Sequence, residues 1–243
     1  AAAARDSGVP GALSGLQSLH LTASNGRRIL QHRLTQLPVL TQGTTLQFQL
    51  QLLQNAHVNF QLVKDAVQGL TAGYIAFDSN RIITWAPGSV TDFEAARFDY
   101  DSGQRRFEVQ LTFDPPADRC LLTVNLLPAR TRLVDQLPIA LSGWNPATQP
   151  NQAVSLDARM GGEALIDDFT ILAPGGNPLF SCDFEAPVFT AGIDATGIAG
   201  WETSAFSEAG GISTVSSTAA NPAEPVVAEA APADETASAD ETV

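Results

Sequence analysis

Apolar and polar residues alternate with a period of two in several runs before position 172. The pattern is most regular in Phe107–Phe113, where Phe, Val, Leu and Phe are separated by Glu, Gln and Thr. A second such run is TLQFQLQLL at positions 45–53. This alternation is typical of strands with one buried and one solvated face. No segment has an apolar stripe at the helical period, so we predict an all-β, antiparallel chain.

Short polar segments between these runs predict three hairpins, because Asp, Asn, Ser and Gly suit tight turns. Gln54-Asn55-Ala56 separates the run at 45–53 from VNFQLV at 58–63. Asp78-Ser79-Asn80 divides GYIAFDSNRIITW, and Asp101-Ser102-Gly103 divides FDYDSGQRRFEVQLTF. Further strands are predicted at positions 16–21, 28–34, 120–127, 140–144 and 153–158.

The last predicted strand of this part is EALIDDFTIL, at positions 163–172. Strict alternation places Ala164, Ile166, Asp168, Thr170 and Leu172 on one face and Leu165, Asp167, Phe169 and Ile171 on the other. An uncompensated carboxylate is costly in an apolar core. We therefore expect at least one of the two aspartates to be solvated, hydrogen-bonded or bound to a cation, with structural hydrogen bonding as the first expectation.

Composition divides the 243 residues into four segments. Residues 1–14 form a small, polar lead that we expect to be flexible, and 15–187 a β-sandwich domain with one core. Residues 188–215 are rich in Gly, Ser and Thr with isolated apolar positions. Residues 216–243 are an acidic, low-complexity tail, a composition that favours disorder.

The charge is distributed unevenly along the chain. Residues 1–159 carry a net charge of +1, whereas residues 160–243 carry −14 and contain no Lys or Arg. A segment of that charge repels nucleic acids and anionic membranes, so neither is an expected partner. The polarity permits head-to-tail association of copies, with a solvated acidic tail as the alternative.

Location is indicated only by general features. There is no run of 18 apolar residues, so no membrane insertion is expected. Ala1–Ala4 is similar to the small-residue region around a signal-peptide cleavage site. With a charged content of only 16%, the polar surface rests on Gln, Asn, Ser and Thr. We expect an extracellular or cell-surface protein.

Two cysteines, Cys120 and Cys182, each lie in a predicted strand. In an oxidising compartment they can form a disulfide that closes a loop of about 60 residues and stabilises the fold by roughly 4 kcal/mol. Two buried free thiols are the equal alternative.

Four strand-like segments follow one another in order: GYIAFDSNRIITW, RRFEVQLTF, IALSGWNP and SLDARMGGEALIDDFTI. Together they resemble the concanavalin A-like lectin/glucanase superfamily, of the laminin-G-like kind found in secreted bacterial proteins. The resemblance covers roughly residues 15–172. It implies a jelly-roll sandwich of two curved antiparallel sheets with a late strand that carries a paired-Asp motif, here Ile166-Asp167-Asp168-Phe169.

A second resemblance concerns CDFEAPVFTAGIDATGIAGW, at positions 182–201. It is similar to the opening strand of such domains, which here comes last. The resemblance implies a chain cut from a repeat array or a circularly rearranged one, whose end enters its own fold or that of a neighbour by strand addition. A loosely packed extension is the alternative. The candidate assembly residues are Asp183, Phe184, Phe189, Trp201 and Phe206.

No catalytic constellation is found, so we predict no enzymatic activity. Glucanases of this superfamily use a Glu-x-Asp-x-x-Glu strand for the two carboxylates, and that spacing is absent. Asp92-Phe93-Glu94 and Asp183-Phe184-Glu185 do not continue in the required way. The three histidines are scattered through predicted strands, where a structural role is expected: His20, His32 and His57.

Two kinds of ligand remain as hypotheses. A glycan-binding face needs flat aromatic rings beside polar groups, and the candidates are Trp85, Tyr100, Trp144 and Asn145, with Gln104 and Gln149 as further polar partners. Buried aromatic residues are the alternative. A Ca²⁺ site is possible at Asp99, Asp101 and Asp168, because carboxylates are ligands that calcium prefers. A plain turn at 101–103 is the favoured alternative, and no other cofactor is expected.

The sequence therefore supports two functions from different classes. The first is a non-catalytic structural or adhesive surface module that assembles with copies of itself through its C-terminal segment. The second is a carbohydrate-binding module of a secreted protein.

Overall fold

The structure is a computed structural model that describes residues 17–217 except 24–25, 54–56, 87–92, 104, 143, 145–150, 190 and 209–210. At 85–86, 93–95, 211–212 and 216–217 it describes the backbone alone. The predicted lead at 1–14 and nearly all of the acidic tail lie outside the described residues. Over the described ranges, no helix is long and apolar enough to cross a membrane.

The described residues form fifteen strands and two 3₁₀ turns, at Leu34–Gln36 and Pro115–Ala117. The strands are β1 (Gln17–Ala23), β2 (Arg27–Arg33), β3 (Thr45–Leu52), β4 (His57–Asp65), β5 (Leu70–Asp78), β6 (Arg81–Ala86), β7 (Phe93–Asp99), β8 (Arg106–Asp114), β9 (Arg119–Leu126), β10 (Thr131–Ala140), β11 (Ala153–Arg159), β12 (Glu163–Leu172), β13 (Pro178–Cys182), β14 (Trp201–Thr203) and β15 (Gly211–Ser217).

These strands form two antiparallel sheets. Sheet A has the order β10-β9-β8-β3-β12-β1-β15, with β13 beside the C-terminal half of β12. Sheet B has the order β14-β2-β11-β4-β5-β6-β7. The sheets pack face to face around one large apolar cluster to which both contribute. The predicted all-β, antiparallel sandwich is thus confirmed.

The core follows from the alternation in the sequence. Every second residue of β8 from Phe107 to Phe113 is fully buried. Phe48 of β3 and Phe60 of β4 meet across the sandwich with ring centroids 5.1 Å apart. Burial of each such side chain stabilises the fold by about 1.5–3 kcal/mol. Hydrophobic burial therefore holds the two sheets together.

Of the three predicted hairpins, one is confirmed and two are wrong. β5 and β6 pair around the turn at 78–81, with Phe77 opposite Ile82. In contrast, β3 lies in sheet A and β4 in sheet B, and β7 and β8 are likewise in different sheets. The turn at Asp101-Ser102-Gly103 therefore crosses from one sheet to the other. Two half-apolar strands can bury their faces by packing across a sandwich as well as side by side, and alternation alone does not distinguish these arrangements.

The paired aspartates form a β-bulge. Asp167 lies opposite Gln49 and Thr170 opposite Gln47, so β12 has one residue more than β3 at this point. The extra residue is Asp168, which has a φ of +50°. The bulge changes the alternation, and the core positions of β12 are Ala164, Ile166, Phe169 and Ile171. The strict two-face assignment is therefore wrong from Asp168 onward.

The C-terminal segment extends both sheets of its own domain. β15 pairs with β1 over seven residues, and β14 pairs with β2 in sheet B. The sandwich therefore continues beyond the predicted boundary at 187. In this structure the segment pairs within its own fold, which is one of the two destinations considered for it.

The candidate assembly residues are distributed accordingly. Phe184, Phe189 and Trp201 are buried in the core. Phe184 and Trp201 have ring centroids 5.9 Å apart. Asp183 is exposed, and its Oδ1 accepts a hydrogen bond from the Glu185 amide at 3.2 Å. Phe206 is 40% exposed and covers Gly69 of the β4–β5 turn. Three of the five therefore anchor the segment within its own chain.

The two cysteines are buried free thiols. Cys120 is in β9 and Cys182 in β13, and β8, β3 and β12 lie between them in sheet A. Four strand spacings of about 4.8 Å place the two strands about 19 Å apart, whereas the Cα atoms of a disulfide lie within about 7 Å. The disulfide alternative is therefore wrong for this fold.

Candidate functional site

A row of polar residues crosses the outer face of sheet B, the face directed away from sheet A. The strand register places these residues opposite one another from strand to strand. We call this the polar row: Glu202, Gln31, Ser155, Gln61 and Tyr74, on β14, β2, β11, β4 and β5 in that order. Their sequence neighbours point inward, since Leu30, Leu156, Phe60 and Ile75 belong to the core.

Hydrogen bonds connect the members of the polar row. Gln31 Nε2 donates to Glu202 Oε1 at 2.7 Å, and Arg33 Nε donates to the same oxygen. Ser155 Oγ donates to Gln61 Oε1 at 3.3 Å. Burial alone would raise the pKa of Glu202, but the hydrogen bonds from Arg33 and Gln31 and the neighbouring positive charge lower it below its ordinary value. Glu202 is thus held as a carboxylate.

Asp157 of β11 lies next to the row and is fully buried. Arg27 donates to both of its oxygens, from Nε and Nη2, at 2.9 Å each. Arg159 Nε and Gln61 Nε2 each donate to Oδ2 at 2.8 Å, and Asn59 Nδ2 lies 3.4 Å from it. Two guanidinium groups thus share one carboxylate, which leaves an excess of positive charge at this end of the face.

One end of the outer face is covered by the β4–β5 turn. Ala66 of that turn packs on Val63 and Ala153. A Cβ atom added at Gly69 would lie 2.9 Å from Cε2 of Phe206, so the turn meets the segment after β14. Gly69 also has a φ of +70°, a conformation that favours glycine. The two segments therefore close over the outer face on the side of β14.

The aromatic residues predicted to bind sugar do not form an exposed platform. Trp144 is 2% exposed and donates from Nε1 to the carbonyl oxygen of Val63 at 3.2 Å. Tyr100 is 8% exposed, its ring lies edge-on to Phe107 with centroids 5.0 Å apart, and burial raises its pKa above the usual value. Both belong to the core, so their assignment to a binding face is wrong. Buried rings satisfy the polar atom internally, as the alternative predicted.

The remaining predicted polar candidates, Asn145, Gln149 and Gln104, lie outside the described residues. The backbone of Trp85 lies opposite Tyr74, which extends the register of the polar row to β6. Tyr74 itself is half-buried. Of the predicted glycan residues that the structure describes, Trp85 is thus the one at a register position of the row.

The three aspartates proposed as calcium ligands do not converge. Asp99 Oδ1 accepts a hydrogen bond from Arg97 Nε at 2.9 Å, and Asp101 Oδ1 accepts one from the Gly103 amide at 2.9 Å. Asp168 Oδ2 accepts one from Gln49 Nε2 at 2.7 Å. Among the residues with described positions, no group of three or more His, Cys, Asp or Glu is arranged to hold a metal ion. Asp101 acts in its own turn, as the alternative predicted.

Asp167 has the structural role that was expected of the pair. It is fully buried, accepts a hydrogen bond from Ser18 Oγ at 2.9 Å through Oδ2, and accepts the Asp168 amide at 2.8 Å through Oδ1. The histidines are also separate: His20 contacts Glu163 at 2.7 Å, and His57 contacts Asp78 at 2.9 Å.

Sequence reasoning missed the polar row and Asp157. A signal was present, because RRILQHR in β2 and AVSLDAR in β11 place polar residues at alternate positions. Both runs are short and have apolar residues at the intervening positions, so the pattern predicts strands but does not indicate a binding face. Only the register brings these positions together with Gln61 and Tyr74.

No protein-family model matches the chain, and no curated protein matches it in sequence. Solved structures with a similar fold include lectin I-B4 from Griffonia simplicifolia in its metal-free form. That likeness has a TM-score of 0.38 at 10% identity and covers 61% of this chain and 84% of the lectin. A second is sheep galectin-11 in complex with glycerol, with a TM-score of 0.31 at 10% identity over 68% of this chain and 99% of the galectin.

Proposed function

We propose that this chain is a non-catalytic, extracellular or cell-surface binding module that holds a carbohydrate on the outer face of sheet B. The observation that carries the proposal is the polar row, whose partly exposed ends are Glu202 and Tyr74, while Gln31, Ser155 and Gln61 between them are buried and hold the row in place. Sugars present hydroxyl groups at their edges and an apolar face on the ring. A polar row that ends at an aromatic residue matches both features.

Charge-assisted hydrogen bonds support the same reading. Arg159 at 42% exposure presents a guanidinium group beside Asp157, and Arg33 does so beside Glu202. Each arginine is held by a carboxylate, so its direction is set before a ligand arrives. Such preorganised donors lose little conformational entropy on binding.

The carboxylates of this face favour binding over hydrolysis. A glycosidase needs one carboxyl group whose pKa is raised so that it can act as an acid. The pKa of Glu202 is lowered, and Asp157 is paired with two arginines. Such carboxylates are suited to holding hydrogen-bond donors in place. This is why we assign the face no catalytic step.

The test is retention of the purified chain on a panel of immobilised polysaccharides, followed by a glycan array. We expect retention by the wild type and a loss of about tenfold or more in affinity for Tyr74→Ala. Tyr74→Phe keeps the ring and should bind nearly as the wild type does. Trp85→Ala tests the next register position. Arg132→Ala, on the exposed β10 edge of sheet A, is the matched control that should not change binding.

Binding would be compared with added Ca²⁺ and with a chelator, because dependence on calcium is a separate question from the Asp99, Asp101 and Asp168 set, which does not converge on one site. Equal retention in both conditions would remove calcium from the proposal. Retention by no glycan, or equal retention by Tyr74→Ala and the wild type, would contradict the proposed face.

A structural or adhesive module is the second candidate function. Asp157 and the polar row make many hydrogen bonds within the chain. Such a network makes a surface rigid, which is what a structural module needs. Head-to-tail assembly by donation of residues 188–215 would require β14 and β15 to leave their own sheets first. Light scattering on the full chain over a range of concentrations tests it. Large ordered species would favour assembly, and a species no larger than a dimer would contradict it.

A further inference from the structure

In the described part of the chain, five strands pair with one neighbouring strand only, namely β7, β10, β13, β14 and β15, and they differ in how open their other side is. The far edge of β15 is covered by residues 192–195, since the amide of Gly192 donates to Val215 at 2.7 Å and that of Val215 to Ile193 at 3.1 Å. β14 has only three residues, and β13 has five and begins with Pro178. β10 contains Pro138 and has two register shifts, against one in β7. These are features that discourage pairing with another chain.

β7 differs from the other four edges. It has seven residues and no proline, and in the portion of the chain with described positions it pairs with β6 alone. Its first six residues are Phe93-Glu94-Ala95-Ala96-Arg97-Phe98. When two copies of this sequence pair antiparallel in the symmetric register, Phe93 lies opposite Phe98, Glu94 opposite Arg97 and Ala95 opposite Ala96 of the other copy. Opposite charges in directly opposed positions stabilise an antiparallel pair.

A register shift in β7 makes this match compatible with one continuous sheet. Two residues three positions apart normally lie on opposite faces of a strand. Here Glu94 lies opposite Trp85 and Ala96 opposite Thr84, so β7 contains one extra residue. Glu94 and Arg97 therefore occupy register positions on the same face.

Phe93 and Phe98 likewise share the other face, because their partners in β6 are Ala86 and Ile82. When two copies are related by a two-fold axis perpendicular to the sheet, residues that meet across the interface lie on the same face of the joined sheet. The extra residue thus lets both the charged and the aromatic positions of two copies meet in the same register.

We propose that a second copy of this chain binds along β7, antiparallel and with Glu94 opposite Arg97 of the other copy. The interface is isologous, so each charge pair occurs twice. Sheet B then continues as one sheet of fourteen strands, seven from each copy. Arg97 is available for this contact: its side chain is 45% exposed, and its present partner Asp99 is 68% exposed.

The dimer does not depend on the proposed function, but one consequence of the dimer rests on it. A two-fold axis perpendicular to the sheet places both outer faces of sheet B on the same side. Two polar rows would then face one surface, and a multivalent polysaccharide would be held by both at once. A dimer that binds no glycan would leave the pairing of β7 intact and contradict only the glycan proposal.

Sedimentation velocity of the full chain over a wide concentration range tests the pairing. We expect a concentration-dependent dimer for the wild type. Arg97→Glu and Glu94→Arg each oppose like charges at two symmetric positions, and each should weaken dimerisation by about tenfold or more. The double variant E94R/R97E restores opposite charges and should recover most of the affinity. Arg132→Glu, on the β10 edge, is the control that should dimerise as the wild type does.

Thermal melting of all the variants confirms that each one is folded, which is expected because Arg97 is on the surface. Three outcomes would overturn the proposal: a chain that stays monomeric at every concentration, single variants that dimerise like the wild type, or a double variant that remains as weak as the single ones.

Discussion

Arg28 of β2 donates from Nη2 to the hydroxyl oxygen of Ser213 in β15 at 2.8 Å, and so joins sheet B to the last strand of sheet A. The same nitrogen lies 3.1 Å from Asp194 Oδ2 and 3.1 Å from Thr196 Oγ1. Burial alone would raise the pKa of Asp194, but hydrogen bonds from Thr196 and Ser213 and the charge of Arg28 lower it. One guanidinium group therefore closes this side of the sandwich.

Arg28→Ala should reduce the free energy of unfolding by about 1.5–3 kcal/mol, the range for hydrogen bonds to charged groups. Its side chain is only 12% exposed, so the interaction is not fully screened by water. Urea denaturation measures the change. Arg132→Ala is the matched control, since Arg132 and its partner Asp135 are 51% and 67% exposed and such pairs contribute less than about 1 kcal/mol. Equal losses in the two variants would contradict a special role for Arg28.

Two glycines of the C-terminal segment, Gly200 and Gly197, distinguish the cost of a positive φ from the cost of close packing. Gly200 has a φ of +85°, and an added Cβ would lie 2.6 Å from Nε2 of His32 and 2.7 Å from Oε1 of Gln36. Gly197 has a similar φ of +84° but open space around it. Gly197→Ala should therefore cost about 1 kcal/mol for the backbone conformation alone, and Gly200→Ala clearly more. Thermal denaturation of both variants checks this, and a smaller loss for Gly200→Ala would be inconsistent with the close packing.

The alternation in the sequence was sufficient for the fold class, because it depends on which residues are buried. It also located most strands to within one or two residues, as at β3 and β8. It was not sufficient for the pairing of β3 and β4, since a strand with one apolar face can lie in either sheet. It also missed the effect of Asp168, where one residue with φ of +50° changes the face of every later position.

The candidate site was less predictable than the fold class because it depends on which strands are neighbours. Trp144 and Tyr100 have the aromatic side chains that a sugar-binding face needs, but such side chains are as useful in a core as at a binding face. Gln31, Ser155 and Gln61 come from three strands separated by long stretches of sequence, and they become one row only through the register of β2, β11 and β4. Such a row cannot be recognised before the strand order is known.

Asp157→Asn tests the network beside the polar row. The amide keeps the shape of the carboxylate but removes its charge, which leaves the Arg27 and Arg159 guanidinium groups close together without compensation. We expect the free energy of unfolding to fall by about 3 kcal/mol, as when one partner of a buried ion pair is removed. Chemical denaturation measures it. Asp135→Asn, at an exposed pair, should change stability by less than about 1 kcal/mol, and a similar loss in both would argue against a strong network.

The thiols provide a test of the strand order in sheet A. Burial raises the pKa of Cys120 to about 12 and that of Cys182 to about 11. The hydrogen bond from Trp201 Nε1 lowers the pKa of Cys182, but burial has the larger effect. Because the thiolate is the reactive form, the native chain should react slowly with a thiol reagent at pH 8. The unfolded chain should show two reactive thiols without prior reduction. A finding of none before reduction and two after it would mean that the cysteines are bridged and that the sheet order is wrong.

His32 should make the stability depend on pH in a particular range. Its ring packs edge-on to Trp201 at 5.3 Å, and Nε2 lies 2.9 Å from the carbonyl oxygen of Ala199. Burial lowers the pKa of His32 below 6.5, against the effect of the carbonyl groups of Arg33 and Ala199 and the charge of Glu202. The folded state therefore favours the neutral ring, and below about pH 6.5 the unfolded state binds more protons.

It follows that this contribution to stability is complete above about pH 6.5 and is lost as the pH falls through that value toward the lower folded pKa. The lowered carboxyl pKa of Glu202 acts in a separate range, since its contribution is lost only below about 4.5, its ordinary value. Urea denaturation at pH 7.5 and 5.5 should show a less stable chain at pH 5.5. His32→Phe keeps a ring against Trp201 and removes the titrating group, so its stability should change less between the two pH values. An equal change in both proteins would show that His32 is not the group responsible.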